Sequence, residues 1–116
     1  GESVTVNVPG REGFVSVGAM LLPTNDAFTG IKNLEVRGNR TAMAYGSSYD
    51  AGTEANDELC SNIPGPQCGG EGFNADRSGD TNFIHPHPTL HGNGDVSELD
   101  YNWAGNVIKV TAERVR

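Results

Sequence analysis

Ser3-Val4-Thr5-Val6-Asn7-Val8 alternates polar and apolar side chains with a period of two, the pattern of a strand with one buried face. Pro9-Gly10 ends it. Phe14 to Leu22 is the longest apolar run. It starts with alternation and ends continuous, so it predicts a central strand that becomes buried on both faces. Pro23-Thr24-Asn25-Asp26 is a turn cluster. Ala27 to Val36 is ambiguous: Thr24 or Asp26 could cap a short helical turn, but Gly30 interrupts it. Thr41 to Tyr45 predicts a strand after the Gly38-Asn39-Arg40 turn, Thr81 to His85 another, and Asn106 to Val115 a final one. No segment sustains a helical period over 11 or more residues.

Gly46 to Asp80 breaks this rhythm. It is rich in Gly, Asp, Glu, Asn and Ser and poor in large apolar residues. It is too long for a plain connector, and long loops in compact domains tend to carry function. Short strands joined by turns, with 16 Gly and 6 Pro among 116 residues, predict an all-β antiparallel sandwich or barrel with one long Gly-rich loop. The length suits a single domain spanning residues 1–116.

Charge changes the picture in one respect. A net charge of −7 repels phosphate backbones and argues against a nucleic-acid partner. No apolar run reaches the length that spans a membrane, and no signal peptide is evident. Gly1 opens on a β-like pattern, which fits a mature form whose targeting signal has been removed. Cys60 and Cys68 enclose Pro64, Gly65 and Pro66, so the segment turns back on itself and predicts a local disulfide. A disulfide implies an oxidising compartment, extracellular or periplasmic. The alternative is a reduced pair in a cytosolic protein.

Three groups of residues could carry chemistry. Asp26, Asp50 and Glu54 are acids on two turn-rich segments. Calcium takes six to eight oxygens from carboxylates, carbonyls and water. On spacing alone, an Asx-turn at Asp50 and a solvated Glu54 account for the second segment more simply. His85, His87 and His91 are all the histidines of the chain, within seven residues, and three imidazoles could hold zinc or copper. Two prolines restrict that segment, and packed histidines that merely hydrogen-bond are the simpler account. Ser, His and Asp are present without a Gly-x-Ser-x-Gly elbow, a phosphate loop or a dinucleotide loop, so no enzyme is expected. Phe14, Phe28 and Phe83 read as core; Tyr101 and Trp103 stay open between core and contact patch.

Pro23 to Gly30, Tyr49-Asp50-Ala51-Gly52-Thr53-Glu54, Ile63-Pro64-Gly65-Pro66, the His-Pro-His stretch and His91-Gly92-Asn93-Gly94-Asp95 together resemble the spondin N-terminal domain, in its bacterial branch. The likeness runs from about residue 3 to the end. It implies a C2-like β-sandwich and a secreted, non-catalytic binding or adhesion module. A calcium ion would be held by loops at one end, on Asp26, Asp50 and Glu54. Glu54 stands where animal members have Asp. Family domains carry further strand sequence before the point where this chain begins. A sandwich lacking an outer strand has an open edge, so strand addition from a separate segment or partner chain is expected. Two alternatives stand beside the calcium module. One is a structural subunit of a larger extracellular or periplasmic assembly. The other is a transition-metal binder through His85, His87 and His91.

Overall fold

The computed structural model of the chain describes residues 1–10, 12–70, 74 and 81–116. Strands dominate: β1 (Phe14–Met20), β2 (Ala27–Glu35), β3 (Ala42–Gly46), β4 (Ser48–Asp50), β5 (His85–Pro86) and β6 (Ile108–Ala112). They form a four-stranded antiparallel sheet in the order β1-β2-β4-β5 and a two-stranded antiparallel sheet of β3 and β6. The smaller sheet packs against β2. One turn of 3-10 helix, Cys60–Asn62, and one turn of α-helix, α1 (Glu98–Tyr101), complete the elements.

The ambiguous stretch after Asp26 is a strand, not a helical turn. The Thr24 hydroxyl donates to the Leu21 carbonyl and accepts the Ala27 N–H at 3.1 Å. It therefore closes the turn and delivers the chain into β2. β2 then pairs along the whole of β1, from Met20 opposite Phe28 to Phe14 opposite Glu35, with a register shift between Val15 and Val17. Asn33 sits at that irregularity with φ 55°, a conformation Asn tolerates better than most residues. Its N–H donates to Ser16 Oγ at 3.0 Å.

Three strand expectations change. The Phe14–Leu22 run forms an edge strand with exposed Phe14 and Met20, not a strand buried on both faces. One face, Val15 and Val17, is half-covered, and the other is exposed along the whole strand. Among the described residues, 3–8 pair with no strand, although their alternation is the cleanest in the chain. Thr81 to His85 contributes only His85, paired opposite Asp50, while Phe83 and Ile84 are exposed. Part of the long loop, including Phe73, lies outside the described residues.

Small residues let the sheets approach. On β3 the inward positions are Ala42, Ala44 and Gly46, directly opposite Ala112, Val110 and Ile108 of β6. Thr29 of β2 is fully buried beneath them, its hydroxyl donating to the Ser47 carbonyl at 2.7 Å. The buried apolar cluster lies elsewhere: Ile63, Leu90 and Val96, with Cys68 and Trp103 packed against it. All five belong to loops. The Cys60–Cys68 disulfide forms as predicted. The described part of the long loop around Cys60–Cys68 is therefore packed against the rest of the molecule.

Candidate functional site

The loop end beyond β2 and β4 is built from acids that accept backbone N–H groups. Asp26 ends the turn before β2. Its Oδ2 accepts from Thr53 N (2.8 Å), Thr53 Oγ1 (3.0 Å) and Glu54 N (3.0 Å), and its carbonyl accepts from Ala51 N (3.2 Å). One residue thus holds the 51–54 bend at Ala51, Thr53 and Glu54. Asp50, at the end of β4, accepts the Gly52 N–H on Oδ1 at 2.8 Å, the Asx-turn that spacing alone suggested. Its Oδ2 accepts from Asn56 Nδ2 at 2.7 Å. Gly52 has φ +68°, and a β-carbon there would meet the Phe83 backbone at 2.5–2.8 Å. The Asp-Ala-Gly-Thr order therefore has a structural cause: the bend needs both a left-handed residue and one without a side chain.

Asp26, Asp50 and Glu54 are all at least nine-tenths buried, at 8%, 1% and 7% exposure. Their carboxylates are not equally satisfied. Both Asp50 oxygens have donors. Among the described residues, Asp26 Oδ1 and Glu54 Oε2 are buried with no hydrogen-bond partner. Burial pushes the Glu54 carboxyl above its ordinary value; a bond from the Asn74 backbone opposes this, and the nearby Asp26 and Asp57 carboxylates add to it. Two adjacent acids with an unpaired buried oxygen each are costly unless a proton or a cation compensates. Among the described residues, no group of three or more His, Cys, Asp or Glu side chains is arranged to hold a metal ion.

The histidines divide. His87 is buried, its ring 5.2 Å from Trp103, whose Nε1 donates to Ser48 Oγ at 2.8 Å. The Thr89 N–H donates to His87 Nδ1 at 3.0 Å, so the neutral ring carries its proton on Nε2. That nitrogen is buried without a partner, 4.0 Å from Asp50 Oδ2. Burial lowers the His87 pKa, against the pull of the Asp50 and Asp26 carboxylates. His85 differs: its Nδ1 lies 2.9 Å from the Phe83 carbonyl, which can only accept, so Nδ1 carries a proton, and its Nε2 lies 3.8 Å from Asp50 Oδ2. His91 is exposed and contributes its backbone N–H to Glu58. His85 and His87 thus share Asp50 as a neighbour, while His91 is tied to a different acid.

No protein-family model, curated protein or solved structure matches the chain. Among the described residues no helix is long and apolar enough to cross a membrane.

Glu58 is the central residue that sequence reasoning missed. It is 2% exposed, and its two carboxylate oxygens accept the His91 and Asn93 N–H groups at 2.5 and 2.6 Å. Its carbonyl accepts from Asp95 N at 2.8 Å, and its N–H donates to Asn25 Oδ1 at 3.1 Å. Asp57 beside it accepts from Asn25, Asn62 and Asn74 side chains and from Leu59 N. The available signal was the matching Gly-Asn-Gly at residues 92–94: a β-carbon at Gly94 would collide with the Glu58 carbonyl oxygen.

Proposed function

We propose that this chain is a non-catalytic binding module of the extracellular space or periplasm, a spondin-like, C2-type β-sandwich whose loop end is ordered by calcium. The observation that carries the reading is the pair of buried, unpartnered carboxylate oxygens, Asp26 Oδ1 and Glu54 Oε2. A hard divalent cation satisfies such oxygens and draws its remaining ligands from carbonyls and water. Asp26 and Glu54 would hold the ion. Asp50, its oxygens engaged by Gly52 and Asn56, fixes the bend that carries Glu54. The ion would supply charge compensation; the chain supplies the bend and its attachment to the turn before β2. The disulfide supports the compartment.

The test is thermal unfolding of the purified chain with calcium or chelator. Calcium at a hundredfold excess over Kd adds about 2.7 kcal/mol, a rise in Tm on the order of 10 °C for a domain this size. Glu54→Gln should abolish the response while leaving the apo protein folded. A wild-type melting curve indifferent to calcium and chelator would overturn the proposal.

A further inference from the structure

The segment Ser3–Val8 keeps a strand pattern without a strand. Val4, Val6 and Val8 share one face and are 87%, 73% and 59% exposed. Among the described residues, the backbone of residues 3–8 makes no hydrogen bond to any other segment. A matching vacancy exists on the body. The β3–β6 sheet covers β2 but not the inward side of β1, where Val15 and Val17 are half-buried and Ala19 is exposed. The Arg114 guanidinium, just past β6, lies against Gly13 at the start of β1. β6 therefore lies towards β1, and among the described residues its outer edge is unpaired.

We infer that the Ser3–Val8 arm of a second copy of this chain adds to the β6 edge as an antiparallel third strand, and that two copies exchange arms. One register satisfies pattern and charge together: Val4 opposite Ala112, Val6 opposite Val110, Val8 opposite Ile108. Directly opposed residues share a face, so the three valines join the inward Ile108, Val110 and Ala112 and roof Val15 and Val17. The same register sets Glu2 opposite Arg114, complementary in charge.

The chain's own arm cannot reach this position. Val8 and Gly13 are five residues apart, at most about 18 Å of extended chain. Ile108 and Arg114 are six residues apart, about 20 Å if the chain stays extended past the end of β6, and the sheets are separated by roughly 10 Å more. An own-chain arm could only lie parallel to β6, which removes Glu2 from Arg114. Reciprocal exchange of six-residue arms buries on the order of 1,600 Å², the size of a standard stable interface, and the two-fold arrangement closes on itself.

Sedimentation equilibrium of the full chain tests this, with circular dichroism to confirm folding. The wild type should dimerise below about 100 µM, and Val6→Asp should weaken the dimer more than a hundredfold by placing a charge in the seam. Glu2→Arg and Arg114→Glu should each weaken it about threefold, and their combination should restore it, as for an exposed ion pair. A chain that stays monomeric, a dimer indifferent to Val6→Asp, or single charge changes that the double variant does not rescue would each overturn the inference.

Discussion

Glu58→Gln isolates what one buried acid does. The substitution preserves volume and keeps one acceptor oxygen. It turns the other oxygen into an NH₂ group that faces an N–H, either that of His91 or that of Asn93. A hydrogen bond to a charged acceptor contributes about 1.5–3 kcal/mol, and the remaining bond loses its charge assistance. The two N–H groups are partly buried, so water can recover some of the loss. The expected cost is about 2 kcal/mol, a large share of the roughly 5–15 kcal/mol that holds a domain together. Backbone geometry sharpens the point. Glu58 has φ 57°, uncommon for a residue with a side chain, so the two carboxylate bonds outweigh that strain. Urea unfolding followed through the fluorescence of the chain's one tryptophan, Trp103, reads the effect. With m near 2 kcal/mol/M the midpoint should fall by about 1 M at unchanged m. Exposed Glu98→Gln is the control and should stay within about 0.5 kcal/mol of wild type. A Glu58→Gln midpoint indistinguishable from that control would refute the assignment of Glu58 as the tie between the 57–58 segment and the 91–95 turn.

Three further outcomes follow from the same geometry. His87 has a lowered pKa, so the unfolded chain takes up its proton first as pH falls below about 6.5. Stability is therefore full above that value and declines through the window below it; His87→Asn should flatten this part of the stability–pH curve, and an unchanged slope would remove His87 as its cause. Replacing Cys60 and Cys68 together by Ser opens a nine-residue loop and should cost about 2.5 kcal/mol on chain-entropy grounds, measured as a midpoint shift against the oxidised protein. Gly52→Ala forces a β-carbon against the Phe83 backbone at a positive φ, so it should cost at least about 2 kcal/mol and also blunt any calcium response; a neutral variant would show that the bend is not fixed as described.

What could be read from residue order depended on where the information lay. The alternation in β6 and the apolar run of β1 placed strands because side-chain period is a local property. The Pro-Thr-Asn-Asp turn and the disulfide were legible for the same reason: each closes within a few residues. β2 was not, because Gly30 and the ambiguous 27–36 pattern are decided by pairing with β1, a tertiary effect. The edge position of β1 and the unpaired state of residues 3–8 also depend on which partners are at hand, which no local pattern encodes. Among the site residues, the Asp50 Asx-turn was legible from its two-residue span, whereas the Asp26 bonds to Thr53 and Glu54 cross 27 and 28 positions. Glu58 reaches 33 and 35 positions away and looked like one more loop acid.

The distribution of acids gives the loop end its logic. In a chain with 35% apolar residues and a net charge of −7, the buried apolar cluster there among the described residues is Ile63, Leu90 and Val96. The remaining order comes from carboxylates capping amides: Asp26 on Thr53 and Glu54, Asp50 on Gly52, Asp57 on Leu59, Glu58 on His91 and Asn93, and Asp95 on Cys60. Charge-assisted bonds of this kind replace apolar burial as the means of fixing a glycine-rich loop. Each added acid also increases the repulsion among its neighbours, and the raised Glu54 pKa records that, with burial as the larger cause. Among the described residues the carboxylates of this network otherwise find donors, and the two buried oxygens left out, on Asp26 and Glu54, are where the proposed cation would relieve both unsatisfied bonding and accumulated charge. The proposed calcium reading therefore rests on an incomplete junction among the described residues rather than on acidity as such.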